Sequence, residues 1–290
     1  MKRIICHIFV LMLICTATAC QADFDELEDT KQRHVVFTFN TDSLFSDILY
    51  SEGRNFYLKS MDKLPSDCRL RITAYCYDSK DSLYYTEKII TNEKVCMQQM
   101  KIRHLQKNET YRFVFVADVV KYDPYVDYYE TWFQLKTNFW PDFYIYADNR
   151  NENAEENVMG TASMLLIPNN QSYCVTLYPI TYNGFCVFDN LENVDRLSGY
   201  VLYNFKFWMK TLKWWWRGSL AYEFDYRNPQ GRVVKPISLS YSDSIISVML
   251  RSMTIEGVDS LQIDISNSGC RPFVAAFNCE RMELDTCLFY

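Results

Sequence analysis

The chain has 290 residues and a formal net charge of −6, with 36 acidic residues against 30 basic ones. Nucleic acid is a poor partner for such a chain, because phosphate binding needs a surplus of Lys and Arg. With 22 Tyr, 19 Phe and 6 Trp but only 8 Gly, the composition favours strands, where flat side chains pack well on a pleated surface. The length allows two ordinary domains or one large one.

Met1-Lys2-Arg3 is a positive start, residues 4–14 are almost unbroken apolar sequence, and Thr16-Ala17-Thr18-Ala19 offers the small residues a signal peptidase accepts. The apolar run is too short to span a bilayer. Cys20 follows at once. This arrangement resembles the lipobox of bacterial lipoproteins, in which the cysteine is acylated and becomes the mature N-terminus, although Ala17 stands where leucine is usual. The resemblance implies a signal peptide over 1–19 and lipidation at Cys20; an ordinary secretory signal cleaved near Ala19, with Cys20 a plain thiol, is the other reading.

Without that leader 271 residues remain, with 28 basic against 36 acidic residues and a formal charge of −8. Residues 20–33 form an acidic tether that holds Asp23, Asp25, Glu26, Glu28 and Asp29. It resembles the export signal of Bacteroidetes surface lipoproteins, and it equally suits a solvated segment kept extended by self-repulsion.

Period-two alternation then dominates. Residues 34–40 place Val35, Phe37 and Phe39 on one face, and residues 69–77 point Leu70, Ile72, Ala74 and Cys76 inward. A polar turn at 78–82 and a returning strand at 83–90 complete a hairpin. Another strand is expected over 111–117, whereas the run 121–132 reads as a tyrosine-rich loop. Residues 148–158 are the most polar stretch of the mature chain and suggest a domain boundary at 150/151. Strands resume at 173–180, 200–207, 212–225, 237–241, 245–253, 261–265 and 272–277, and 282–290 reads as an edge strand. Only 42–50 and 94–104 suggest short helices. The expected organisation is all-β: an N-terminal β-sandwich over 34–150 and a C-terminal one over 151–290.

Motifs for chemistry are few. His34 and His104 are the only histidines after the leader, and no HExxH, GxSxG or phosphate-cradling glycine loop occurs. Asp123, Asp127 and Glu130 could serve a glycosidase only at a set separation that sequence does not give; as acids in a loop they also suit simple solvation. Eight cysteines follow Cys20, with no CxxC pair, which argues against a zinc ribbon and leaves disulfides and buried thiols both open. No metal and no cofactor is expected.

Trp214-Trp215-Trp216 is the sharpest single oddity. A strand would point Trp214 and Trp216 to one face and Trp215 to the other, so a half-buried sheet cannot hide all three. With nearby Trp208 they suit interdomain packing, a subunit interface or a glycan platform.

Cys20 with its acidic tail, the strand at 34–40, Arg69-Leu70-Arg71-Ile72-Thr73-Ala74-Tyr75-Cys76-Tyr77-Asp78 with its turn and return, and Tyr111-Arg112-Phe113-Val114-Phe115-Val116-Ala117 together resemble the fimbrillin superfamily of Bacteroidales, most nearly its anchor and assembly lipoproteins. The resemblance covers residues 20 to about 120 and the second half only in length and strand rhythm. It implies two transthyretin-like β-sandwich domains and a non-catalytic role as anchor or accessory subunit of a fimbria-like polymer. The location would be the outer membrane, lipid-anchored and surface-exposed, with other fimbrial subunits as partners through strand addition. In shaft subunits of this kind a protease cuts after a basic residue beyond the first strand; Arg54 stands at that place, and a surface arginine in a turn is the plainer reading. The alternative function is a surface glycan-binding lipoprotein. Asp42-Ser43-Leu44, Asp81-Ser82-Leu83, Asp243-Ser244-Ile245 and Asp259-Ser260-Leu261 resemble the Bacteroidetes O-glycosylation triplet, and they equally suit turns entering strands.

Overall fold

The computed structural model describes residues 32–53, 55–123, 125, 128–130, 133–147, 158–203, 206–215, 220–238, 245–252, 261–266 and 272–290. The described residues contain no α-helix, and so none long and apolar enough to cross a membrane. The first strands in chain order are β1 (Gln32–Asn40), β2 (Ile48–Glu52), β3 (Asn55–Lys59), β4 (Cys68–Tyr77), β5 (Leu83–Thr91), β6 (Met100–Gln106) and β7 (Tyr111–Asp123). Next come β8 (Tyr128–Glu130), β9 (Phe133–Lys136), β10 (Tyr144–Ala147), β11 (Met159–Leu166), β12 (Ser172–Thr176) and β13 (Tyr178–Pro179). The remainder are β14 (Asn183–Asp189), β15 (Arg196–Tyr203), β16 (Lys206–Trp208), β17 (Lys213–Trp215), β18 (Leu220–Arg227), β19 (Val233–Ser238), β20 (Ile245–Ser252), β21 (Leu261–Ser266), β22 (Phe273–Asn278) and β23 (Glu283–Phe289).

Sheets β12-β1-β6 and β13-β11-β7-β4-β5 face each other as the first sandwich. The alternation read in β4 is what fills it. Leu70, Ile72, Ala74 and Cys76 are buried with Val35, Phe37 and Phe39 of β1 and Phe113, Phe115 and Ala117 of β7. The Phe37 ring meets Phe113 and Phe115 with centroids 5.0 and 4.8 Å apart, the second contact edge-on, a favoured aromatic geometry.

The second sandwich stacks β19-β14-β22-β23 on β18-β15-β20-β21, burying Phe188, Leu197, Val201, Phe224 and Phe277 in its core. The first strand of each sandwich pairs in parallel with a late one, β1 with β12 and β14 with β22, while the other strand pairs are antiparallel. The chain thus repeats a topology without repeating a sequence.

A further sheet, β17-β16-β10-β9, takes β9 and β10 from before β11 and β16 and β17 from within the second half. Ile145 pairs with Phe207 across it. Phe133, Phe143, Ile145 and Phe207 pack with Tyr77, Val114 and Val116 on the outer face of the β4–β7 pair. That pair is therefore covered on both sides, which is why β7 is an almost continuous apolar run instead of an alternating one.

Four expectations change. The boundary at 150/151 moves, because β11 pairs with β7 along Met159–Leu166 and β12 pairs with β1; the first sandwich is complete only at β13. The polar stretch lies in sequence between β10 of a separate four-stranded sheet and β11 of the first sandwich. The helix expected at 94–104 is strand β6: His104 takes φ 63° opposite a register shift between Arg33 and Val35, so the buried residues fall at 100, 102 and 105 and the period is disguised. The helix expected at 42–50 is a single 3-10 turn, Asp42–Leu44, followed by β2. In the tyrosine-rich segment β8 folds back on β7, with Tyr122 opposite Tyr129, so that segment is largely a hairpin.

Candidate functional site

The first sandwich is open along one side. β11 pairs with β7 from Met159 to Leu166, but on its other edge it meets β13 only at Gly160 and Thr161. Gly160 permits that meeting, since a Cβ there would lie 2.9 Å from the Tyr178 carbonyl oxygen and against the Leu44 side chain. Beyond Thr161 the edge of β11 pairs with no described strand. Among the described strands β12, at the end of the opposite sheet, pairs only with β1.

These two free edges flank a cleft of about 740 Å³, with Ala162, Ser163 and Met164 on one side, Cys174, Val175 and Thr176 on the other, and Phe115 between them. Tyr178, Phe207 and Leu212 continue it towards the β16–β17 turn. Among the described residues, no charged side chain lines it. A free edge offers backbone N–H and C=O groups in register, and apolar pockets beside it accept alternate side chains, the two features that recognition of an extended segment uses. Sequence reading missed β11 because Gly160, Thr161, Ala162 and Ser163 give a weak strand signal, and the only cue was the return of Met164-Leu165-Leu166.

Cys20 and Arg54 lie outside the described residues; on either side of Arg54, Glu52 pairs with Asn55 in the β2–β3 hairpin. Trp208 stands in β16 with its ring on Tyr144 of β10, centroids 5.3 Å apart, so it packs between the two halves of the chain. Trp214 and Trp215 pair through their backbones with Phe207 and Lys206, and Trp216 lies outside the described residues. Tyr125, at 96 % exposure, is the most open large aromatic among the described residues. Asp123 accepts a hydrogen bond from the Tyr125 amide at 2.8 Å, Glu130 pairs through its backbone with Lys121, and Asp127 is outside the described residues.

His104 sits on β6 with Nδ1 2.7 Å from the Gln32 side-chain oxygen, and His34 lies on the neighbouring strand β1. Cys68, Cys76, Cys96, Cys174, Cys186, Cys279 and Cys287 are unbridged thiols, and Cys270 is outside the described residues. Burial pushes the Cys76 and Cys279 thiols up to about 12, which makes them inert. Among the described residues no three His, Cys, Asp or Glu side chains gather as a metal site would require. Ser43 donates to the Leu177 carbonyl at 2.6 Å, and Ser82 closes the β4–β5 turn by donating its amide to Asp78 at 3.0 Å; the Asp and Ser of the triplets at 243 and 259 lie outside the described residues, just before β20 and β21.

No family model and no curated protein matches the chain. Solved structures do. A candidate polysaccharide-binding protein from Bacteroides thetaiotaomicron superposes with TM-score 0.54 at 8% identity, covering 89% of this chain and 95% of that one. A candidate adhesin from the same organism gives TM-score 0.51 at 14% identity, covering 87% and 94%. The fimbrial anchor protein Mfa2 from Porphyromonas gingivalis gives 0.50 at 11%, covering 89% and 95%. At these identities the likeness is one of fold. The chain is similar in fold to these three proteins over most of its length and theirs.

Proposed function

We propose that the protein is a non-catalytic outer-membrane lipoprotein, held by lipid on Cys20, that serves as anchor or accessory subunit of a fimbria-like surface polymer. The observation that carries this reading is the pair of edges, β11 and β12, that meet no further described strand, over a cleft with no charged side chain among its described lining residues; an extended strand from a neighbouring subunit would complete both. The fold likeness to a fimbrial anchor protein supports it. A cut after Arg54 would remove β1 from the centre of its three-stranded sheet and strip Val35, Phe37 and Phe39 from the core. Retention of β1 therefore suits an anchor, and its release a shaft subunit.

The cleft is tested with Ala162→Arg and Thr176→Arg in the tagged, membrane-bound protein. Heat-labile, detergent-resistant complexes on unheated gels should disappear while palmitate labelling at Cys20 persists. Complexes of unchanged abundance in both variants would dismiss strand addition at this cleft.

A second reading, surface glycan binding, draws on the exposed Tyr125 and on the polysaccharide-binding description of one fold neighbour. Affinity gels with polysaccharide should then show retardation that Tyr125→Ala or Trp215→Ala abolishes, and equal mobility with and without polysaccharide would remove this reading.

A further inference from the structure

Arg112 is an arginine without an acceptor. It lies near the start of β7, opposite Tyr77 of β4 and Leu165 of β11, with its guanidinium over the Trp140 ring at 4.6 Å. Its Nε is buried and, among the described residues, has no hydrogen-bond partner and no ion pair. Arg71, Arg196 and Arg281, by contrast, each hold a carboxylate. Folded proteins rarely leave a buried donor unpaired. A planar guanidinium fixed on an aromatic face is a fork shaped for a carboxylate, with its hydration already partly removed.

We propose that Arg112 on Trp140 is the docking site for the acidic segment at residues 23–29 of the same chain. That segment lies outside the described residues and carries Asp23, Asp25, Glu26, Glu28 and Asp29 with no basic residue among them. Its exit point is close to Arg112. Gln32, where the described chain begins, pairs with Gln106, and the Gln106 amide donates to the hydroxyl of Tyr111, the residue before Arg112, at 3.1 Å. The His34 amide donates to Asn170, in the β11–β12 connection, at 2.9 Å. The chain therefore enters the sandwich at the same end that carries Arg112.

Residues 23–29 precede Gln32 by three to nine positions, a reach of about 10–30 Å in extended form. Passing from one sheet layer to the outer face of the next takes about 10 Å. Leu165, 59 % exposed, and Phe139, 44 % exposed, offer apolar surface beside the fork for Phe24 and Leu27. A tethered carboxylate also presents itself at an effective concentration that a free acidic ligand does not match. Docking of this kind would set the angle at which the body stands on its tether, and it does not depend on lipidation.

Hydrogen exchange of the 21–31 peptide in the detergent-solubilised full chain tests the assignment. Its amides should exchange about fivefold more slowly in the wild type than in Arg112→Gln, as a partly buried charge pair allows. The protection should vanish in about 0.5 M NaCl. It should vanish equally when Asp25→Asn, Glu26→Gln, Glu28→Gln and Asp29→Asn are combined, a variant that leaves the folded body untouched should Arg112→Gln fail to fold. Free exchange of the wild-type segment overturns the proposal, as does protection that survives the acidic-segment changes. Glucuronate binding that depends on Arg112 while the segment exchanges freely would place the acid outside the chain, and so overturn it too.

Discussion

Arg71 of β4 grips Asp118 of β7 with both arms of its guanidinium, Nε donating to Oδ1 at 2.9 Å and Nη2 to Oδ2. The two residues are register partners, and Asp118 is only 2 % exposed. Burial pushes the Asp118 carboxyl up from the usual carboxylate range, and the guanidinium pulls against that. Arg71→Met should therefore cost roughly 3–5 kcal/mol in urea unfolding, because it strands a buried carboxyl. Arg71→Met with Asp118→Leu should recover most of the loss. In the single variant the folded state binds the Asp118 proton more tightly than the unfolded chain does. Its stability should rise as pH falls through the raised carboxyl range and be lost again as pH rises.

Gly160 marks where β13 leaves β11. Gly160→Ala should destabilise by about 1–3 kcal/mol, since its methyl would press on the Tyr178 carbonyl oxygen and not only on the adaptable Leu44 side chain. Chemical denaturation measures the cost. An unchanged midpoint would mean that β13 moves freely, and the cleft edge with it.

The thiols divide by exposure. Cys174, on the cleft, should take up iodoacetamide in the native protein, while Cys68, Cys76, Cys186 and Cys279 should react only on unfolding. With thiols at about 12, Cys76 and Cys279 carry almost no thiolate near neutral pH. Mass spectrometry after a short alkylation pulse counts the adducts at each site.

Trp208 and Tyr144 join strands that are 64 residues apart in sequence. A double-mutant cycle to Leu at both positions should give a coupling of about 0.5–1.5 kcal/mol, the usual worth of an aromatic pair beyond its buried area. A coupling near zero would assign the cohesion of that sheet to the Ile145–Phe207 pair beneath.

Legibility in the sequence followed how many faces of a strand are buried. Strand β4 alternates cleanly because Leu70, Ile72, Ala74 and Cys76 face the main core and Arg69, Arg71, Thr73 and Tyr75 a less complete cover. β7 shows where a strand lies but not its facing, since Val114 and Val116 are as buried as Phe113 and Phe115. β6 was obscured by one residue, His104, whose left-handed backbone resets the alternation. β14, in the sequence Asn183-Gly184-Phe185-Cys186-Val187-Phe188-Asp189, escaped notice because it too is buried on both faces.

The candidate site was less legible than the fold. Trp208 stood out by composition, yet its ring is committed to Tyr144. The cleft is built from small and ordinary residues, and its character comes from edges that lack a neighbour. Arg112 likewise reads as one more outward basic residue of a strand until its missing acceptor is seen.

Alternation of side chains and aromatic richness are local properties, and they sufficed to determine an all-β chain with β1, β4 and β7 at one core. Strand neighbours are another matter, because pairing uses backbone groups that every residue carries. The parallel joining of Phe37 to Tyr173, the true extent of the first sandwich and the gap between β11 and β12 were decided only when distant segments competed for the same edges and the same buried space.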